Sequence, residues 1–192
     1  MYAISQVHFD KEADREDILR FLCDQFFDHS DLSRSLVTVF EDHFSSLLGN
    51  RGHSHSNIDT TVDLLAIRGA DLDFDDRPLT ALQLAVANAD LKNTSRLLDL
   101  GAEPKRIGNS KSPPYATAPL SRLNRFRGQS PLRICQVLIQ EQRDDLESEV
   151  NGVNGVNGVG GNDGHDEDDE DDVLEEISQN LIQAGGEDSI ED

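Results

Sequence analysis

The stretch that decides the fold is TALQLAVANADLKNTSRLLDLGAE, residues 80–103. It opens on Thr80 and places Gln83 three positions later, the spacing at which a capping Thr and a Gln satisfy each other's backbone amides at a helix N-terminus. Apolar residues then recur at helical spacing in two short segments, and Gly101 stands where a left-handed helix end needs glycine. The stretch predicts a helix, a tight turn and a second helix, a hairpin too small to bury its own apolar faces.

A segment upstream repeats the residues that end this hairpin. We call such an end, a glycine followed by Ala and an acidic residue, a glycine exit. Gly69 is followed by Ala and Asp, as Gly101 is followed by Ala and Glu, and the two glycines lie 32 positions apart. A period near 33 residues is typical of solenoid proteins, in which each unit buries its apolar face against the next.

The opening and the two exits together resemble the ankyrin repeat family. Thr80, Leu82 and Ala85 match the Thr-Pro-Leu-His-x-Ala opening of that family, with Ala81 at the usual Pro and Gln83 at the usual His. The clear resemblance covers about residues 57–104. It implies an all-α fold, a short ankyrin-like solenoid of stacked helical hairpins.

The resemblance and the apolar pattern divide the chain into a helical domain and a tail. The domain is predicted over residues 1–143, with irregular N-terminal capping hairpins at 11–48 and repeats at about 36–71, 77–104 and 115–142. Charge marks the other boundary, because residues 144–192 hold 18 acidic residues and no Lys or Arg, whereas residues 1–143 carry a net charge of only −3.

The composition of the acidic tail predicts a low-complexity, disordered region. Val-Asn-Gly triplets and a block of Asp and Glu lack any core-forming pattern. Apolar residues return at helical spacing near 172–184, before Gly185, and predict one short helix. Two roles stay open for the tail: it regulates the basic loop and third repeat beside it, or it only keeps the protein soluble.

The candidate binding residues lie in and after the two predicted finger loops. The resemblance implies that such loops are finger-like β-hairpins that project beside a groove and contact a protein partner. The candidates are Phe74, Asp75, Asp76 and Arg77 in the first loop, and Lys105, Arg106, Lys111, Arg122, Arg125 and Arg127 in and after the second. Phe74 has two readings, as a contact point or as a side chain tucked under the neighbouring repeat.

The function predicted from these patterns is non-catalytic protein–protein interaction, with possible tuning by the tail. The alternative is binding of a polyanion or nucleic acid through the basic segment 105–133, which steep salt dependence would reveal. An enzyme is the third class, but no phosphate-binding loop or catalytic triad pattern is present, so we expect no catalytic residue, cofactor or metal. His53 and His55 lack further ligands at metal-binding spacing.

The remaining expectations concern the setting of the protein. No run of apolar residues approaches the length of a membrane span. The N-terminal residues do not resemble a signal peptide, and Cys23 and Cys135 lie far apart, which favours free thiols in a reducing compartment. We expect an intracellular protein of the cytoplasm or nucleus that is monomeric on its own.

Overall fold

A computed structural model describes residues 28–48, 58–152 and 169–186. Within these ranges the chain forms helices and no strand, which confirms the predicted all-α class. The elements are α1 (His29–Leu48), α2 (Ile58–Ile67), α3 (Ala81–Ala87), α4 (Leu91–Asp99), a 3₁₀ helix (Leu120–Phe126), α5 (Pro131–Gly152) and α6 (Asp169–Gln183). The helix predicted at 11–29 lies outside the described residues.

Successive helices share one apolar core. Helix α1 packs on α2, α3 and the 3₁₀ helix, while α3 packs on α4 and α5. The largest side chains of this core are fully enclosed, among them Phe40, Leu65, Leu82, Leu97 and Ile134. Each short helix therefore buries its apolar face against a neighbour, which no isolated hairpin of this size can do.

The central hairpin forms as its sequence predicts. The Thr80 amide donates to Gln83 Oε1 at 2.8 Å, and the Gln83 amide donates to Thr80 Oγ1 at 3.3 Å, which completes the capping box of α3. Asp90 then caps α4 by accepting from the Asn93 amide at 3.0 Å. Two adjacent caps allow helices this short to begin where they do.

The two matching exits adopt the same backbone geometry. Gly69 has a φ of +87° and Gly101 a φ of +100°, both in the left-handed region that favours glycine. After each glycine, the amide of the next residue reaches back into the helix: Ala70 donates to Leu65 O and Ala102 donates to Leu97 O, both at 2.9 Å. The predicted placement of both glycines at helix C-termini is confirmed.

Two ion pairs join α4 to α2, and their spacing in the sequence is close to the 32 positions that separate Gly69 from Gly101. Lys92 of α4 pairs with Asp59 of α2, and Arg96 pairs with Asp63 with 2.6 Å between Arg96 Nε and Asp63 Oδ1. Both pairs join residues 33 positions apart. Exposed pairs such as these contribute little stability, but they mark the register in which α4 lies beside α2.

The third helical segment departs from the pattern. Ala118-Pro119-Leu120 resembles the opening at Thr80, yet the segment forms a 3₁₀ helix with no side-chain cap at Pro119. The reason lies in the sequence, because Ala118 stands where Thr80 stands and Ser121 where Gln83 stands, so no capping box can form. Buried Leu123 and Phe126 hold this short element against the core instead.

The C-terminal region also differs from the predicted division of the chain. Helix α5 runs to Gly152 and crosses the boundary expected after residue 143. The short helix predicted near 172–184 is present as α6, and the exit at Gly185 has a φ of +98°. Residues 153–168 and 187–192 lie outside the described residues, so the disorder expected there stays a prediction.

Helix α6 is part of the core and not a separate element of the tail. It packs on α4 and α5, and three of its apolar side chains, Leu174, Ile177 and Leu181, are at most 2% exposed. Polar contacts add to this packing: Cys135 Sγ donates to Leu174 O at 3.1 Å, and Asn180 Nδ2 donates to Ser95 Oγ at 3.1 Å. The apolar stripe that the sequence shows in the tail is therefore the face that packs on α4 and α5.

Substitution of Gly101 should destabilise the fold through backbone strain alone, because a Cβ there would meet no atom within 4 Å. Gly101→Ala should lower the free energy of unfolding by about 1–2 kcal/mol, Gly101→Val by more, and Gly101→Asn by less, since Asn tolerates this conformation. Urea denaturation measures all three. Equal stabilities for the Asn and Val variants would contradict the strain argument.

Truncation of the buried face of α6 should destabilise the whole fold. Ile177→Ala should lower the free energy of unfolding by about 2–5 kcal/mol, as for other buried aliphatic residues. The matched control is Ile182→Ala on the same helix, where the side chain is 57% exposed and the change should be small. Equal unfolding midpoints for the two variants would show that α6 does not pack as described.

Candidate functional site

Two loops follow the glycine exits and lie side by side. We call residues 71–79 finger 1 and residues 103–119 finger 2. Gln83 joins finger 2 to the helices, since its Oε1 accepts from the Gly108 amide at 2.9 Å as well as from Thr80, and its Nε2 donates to Gln129 O at 2.5 Å. Gln83 is completely buried, so one side chain links the cap of α3, finger 2 and the approach to α5.

Backbone contact between the fingers depends on Gly108. A Cβ at this position would lie 2.6 Å from Pro78 O and 2.6 Å from Leu79 Cα, distances that real Cβ atoms do not show. Next to it, the Asn109 amide donates to Arg77 O at 2.7 Å. Glycine is required here so that finger 2 can lie directly on finger 1.

The fingers are held by side chains more than by a backbone ladder. Ser112 Oγ donates to Asp76 O at 2.7 Å, and Asp73 Oδ1 accepts from the Glu103 amide at 2.8 Å. The β-hairpin form that the family resemblance suggests for such loops is not adopted by the described residues. Pro113 and Pro114 carry no amide hydrogen, which removes two donors that a hairpin ladder in finger 2 would use.

A groove lies between α1 and the two fingers and has a volume of about 550 Å³. Helix α1 contributes Arg34, and each finger contributes a run of residues. The lining residues are Arg34, Asp76, Arg77, Pro78, Ser112, Pro113, Pro114, Tyr115 and Ala116. The groove thus combines charged groups with a proline-rich wall.

Tyr115 is the best-anchored residue of the groove. Its amide donates to Asn124 Oδ1 at 2.9 Å, and Asn124 Nδ2 donates back to Tyr115 O at 2.9 Å. The Tyr115 hydroxyl donates to Glu41 Oε1 of α1, also at 2.9 Å. The finger 2 wall of the groove is therefore fixed to both the 3₁₀ helix and α1.

Glu41 is a buried carboxyl group at the base of this arrangement, with 7% of the residue exposed. Burial raises its pKa above the ordinary value, while the positive charge of Arg77 and the hydrogen bond from Tyr115 oppose the rise. Burial also raises the pKa of Tyr115, and the neighbouring Glu41 carboxylate raises it further, so the tyrosine stays a hydroxyl donor.

The four predicted residues of finger 1 differ in burial, in their ion pairs and in whether they line the groove. Phe74 is half-buried and packs against the apolar core, which favours the tucked reading. Asp75 pairs with Arg106 at 2.7 Å, and Asp76 pairs with Arg34 at 2.8 Å. Of the four candidates, only Asp76 and Arg77 line the groove.

The predicted basic residues are largely committed to contacts within the fold. Arg106 pairs with Asp75, Arg125 pairs with Glu141 at 2.7 Å, and Arg127 donates to Ser110 O at 2.6 Å and to Ser112 O. Lys105, Lys111 and Arg122 are exposed. The basic residues that cluster in the sequence do not form one open basic surface in the fold, because acidic residues from other segments lie beside several of them.

Sequence reasoning missed the residues that α1 contributes. Arg34 and Glu41 lie seven positions apart and so on the same helical face. That spacing was available in the sequence, but nothing local showed that this face meets finger 2. Ser112 and Tyr115 were passed over for the same reason, since their partners Asp76 and Glu41 lie 36 and 74 positions away.

The described residues offer no other clear chemistry. Among them, no group of three or more His, Cys, Asp or Glu residues is placed to hold a metal ion. Cys135 is a buried free cysteine, and burial raises its pKa to about 11, so its thiol is not an activated nucleophile. None of the helices described is sufficiently long and apolar to cross a membrane.

No family model, curated protein or solved structure matches this chain. The groove is therefore interpreted from its own residues.

Replacing Glu41 with Gln should stabilise the protein increasingly as the pH rises. The folded pKa lies above the ordinary value of 4.5, so the stability that neutral Glu41 provides is present below pH 4.5 and is lost as the pH rises through the folded pKa. Glu41→Gln keeps an acceptor for Tyr115 and has no such loss. Urea unfolding of both proteins between about pH 4 and 8 measures the difference.

The control for this prediction is Glu141→Gln, a half-exposed glutamate paired with Arg125. This change removes the same charge from an exposed ion pair, and its effect on stability should be small. A Glu41→Gln variant whose stability follows the wild type at every pH would show that burial of this carboxyl group carries no penalty.

Proposed function

We propose that this chain is a short ankyrin-like solenoid that acts as a non-catalytic protein–protein interaction module. The single observation that carries the proposal is the groove of about 550 Å³ between α1 and the two fingers. Its walls are tied together by Gln83, Gly108 and Tyr115, so the groove is preformed and a partner segment need not order it. The capped hairpin and the two matching glycine exits support the ankyrin-like assignment.

Recognition of a polyanion through residues 105–133 has less support. Three of its arginines, Arg106, Arg125 and Arg127, already bond to groups of the fold. Affinity for nucleic acid depends on several cations that are available to phosphates. The role of the acidic tail stays a prediction, and the described tail residue Glu175 pairs with Arg143, which lies outside the basic segment 105–133.

Site-specific photocrosslinking tests the proposal. A benzophenone amino acid placed at Ala116 of the full chain, inside the groove, should crosslink a discrete partner protein in an extract of the source cell. The same group at exposed Gln179 of α6 is the matched control and should not capture that partner. Ala116→Trp, which fills the groove, should compete poorly for the partner against the wild-type chain.

Three results would contradict the proposal. Equal capture of the same proteins from positions 116 and 179 would show non-specific contact, and capture only of nucleic acid would favour the polyanion alternative. If Ala116→Trp competes as well as the wild-type chain, the partner does not occupy the groove.

A further inference from the structure

One charged side chain in the groove differs from its neighbours. Arg77 is half-buried and lines the groove, yet its guanidinium forms no hydrogen bond or ion pair with any described residue. Its Nε is buried without a partner. A buried donor that lacks an acceptor has an appreciable free-energy cost, and among the residues that line the groove Arg77 is the one with such an atom.

The other arginines near the groove each have at least one hydrogen-bond partner, although the Nε of Arg127 is also buried without one. Arg34 pairs with Asp76 at 2.8 Å, Arg106 pairs with Asp75 at 2.7 Å, and Arg127 donates to the carbonyl groups of finger 2. The nearby carboxyl group of Glu41 interacts with Arg77 electrostatically, and its hydrogen bond comes from Tyr115. Among the charged residues that line the groove, Arg34 and Asp76 pair with each other, and Arg77 is the one whose guanidinium has no hydrogen-bond partner among the described residues.

The opposite wall of the groove has a different character. Pro113 and Pro114 have no amide hydrogen, and Tyr115 uses its hydroxyl and both of its backbone groups in bonds within the fold. What this wall presents to a ligand is mainly ring surface. Proline and tyrosine rings pack well against an extended apolar segment, as in other recognition sites for peptides.

We propose that the groove binds an extended segment of a partner protein in which the Arg77 guanidinium holds a single Asp or Glu side chain and the neighbouring residues lie on the wall of Pro113, Pro114 and Tyr115. This inference rests on the proposed function and adds the chemistry of the segment that is recognised. A carboxylate suits the planar donors of an arginine, with which it forms paired, charge-assisted hydrogen bonds.

A single carboxylate fits the charges better than a polyanion does. A phosphorylated or polyacidic ligand needs several cations at close range, whereas this groove offers one without a partner. The chain also carries a net charge of −21, which opposes the approach of a highly negative ligand. One acidic side chain, desolvated next to apolar neighbours, gains most from Arg77 and suffers least from that repulsion.

Peptide selection on the full chain tests the inference. A phage-displayed library of random dodecapeptides is panned against the wild-type protein, against Arg77→Gln and against Arg143→Gln. Arg143 is an exposed arginine outside the groove and serves as the matched control. The wild type and Arg143→Gln should enrich peptides with Asp or Glu at one fixed position beside apolar residues, and Arg77→Gln should lose that preference.

Synthetic peptides then allow a comparison on the unchanged wild-type chain, so the folding of a variant does not affect the result. Changing the selected Asp or Glu to its amide should weaken binding to the wild-type chain by about tenfold or more, the effect of losing a hydrogen bond to a charged group. The same change should have little effect on binding to Arg77→Gln. Arg77→Lys keeps the charge without the planar donors and should bind with an intermediate affinity.

The outcomes separate this inference from the proposed function. Peptides that compete at the groove, lose affinity with Ala116→Trp and show no fixed acidic position would overturn the role of Arg77 while leaving the groove as a binding site. Enrichment of no peptide above background would overturn both. Binding of heparin or an oligonucleotide that falls with Arg77→Gln would show that the site takes phosphate or sulfate groups and would likewise overturn the inference.

Discussion

The buried side chain of Gln83 is the constraint on which the rest of the structure depends. One amide group completes the cap of α3, accepts from Gly108 in finger 2 and donates to Gln129 before α5. A helix start, a loop and the next structural unit are thereby fixed by three hydrogen bonds to the same residue. The bonds from Thr80 and Gly108 are buried and the bond to Gln129 is part-buried, so their loss would leave backbone groups without a partner in a place that water reaches poorly.

The parts of the fold that were predictable from the sequence are those set by neighbouring residues. The capping box of α3 and the glycine exits at Gly69 and Gly101 each involve groups only a few positions apart, and each appears as expected. The helix ending at Gly185 follows from the same local rule. Where a local signal is missing, as at Ala118, the structure changes accordingly to a 3₁₀ helix.

The parts that were not predictable depend on contacts between distant segments. The basic residues of 105–133 look like one surface in the sequence, but Asp75 and Glu141 come from other segments and pair with Arg106 and Arg125. The groove likewise depends on Tyr115 meeting Glu41 across 74 positions. Charge in the sequence therefore gave a poor guide to available charge, since only the fold decides which cations already have partners.

The position of α6 gives part of the acidic tail a structural role in the core. Short amphipathic helices leave apolar faces that neighbouring helices must cover. Helix α6 covers α4 and α5 with Leu174, Ile177 and Leu181, while the groove is built from α1 and the two fingers. The helix embedded in the acidic segment thus completes the core through elements that do not line the groove. The apolar face of α6 therefore stabilises the core, whereas α1 and the two fingers form the groove.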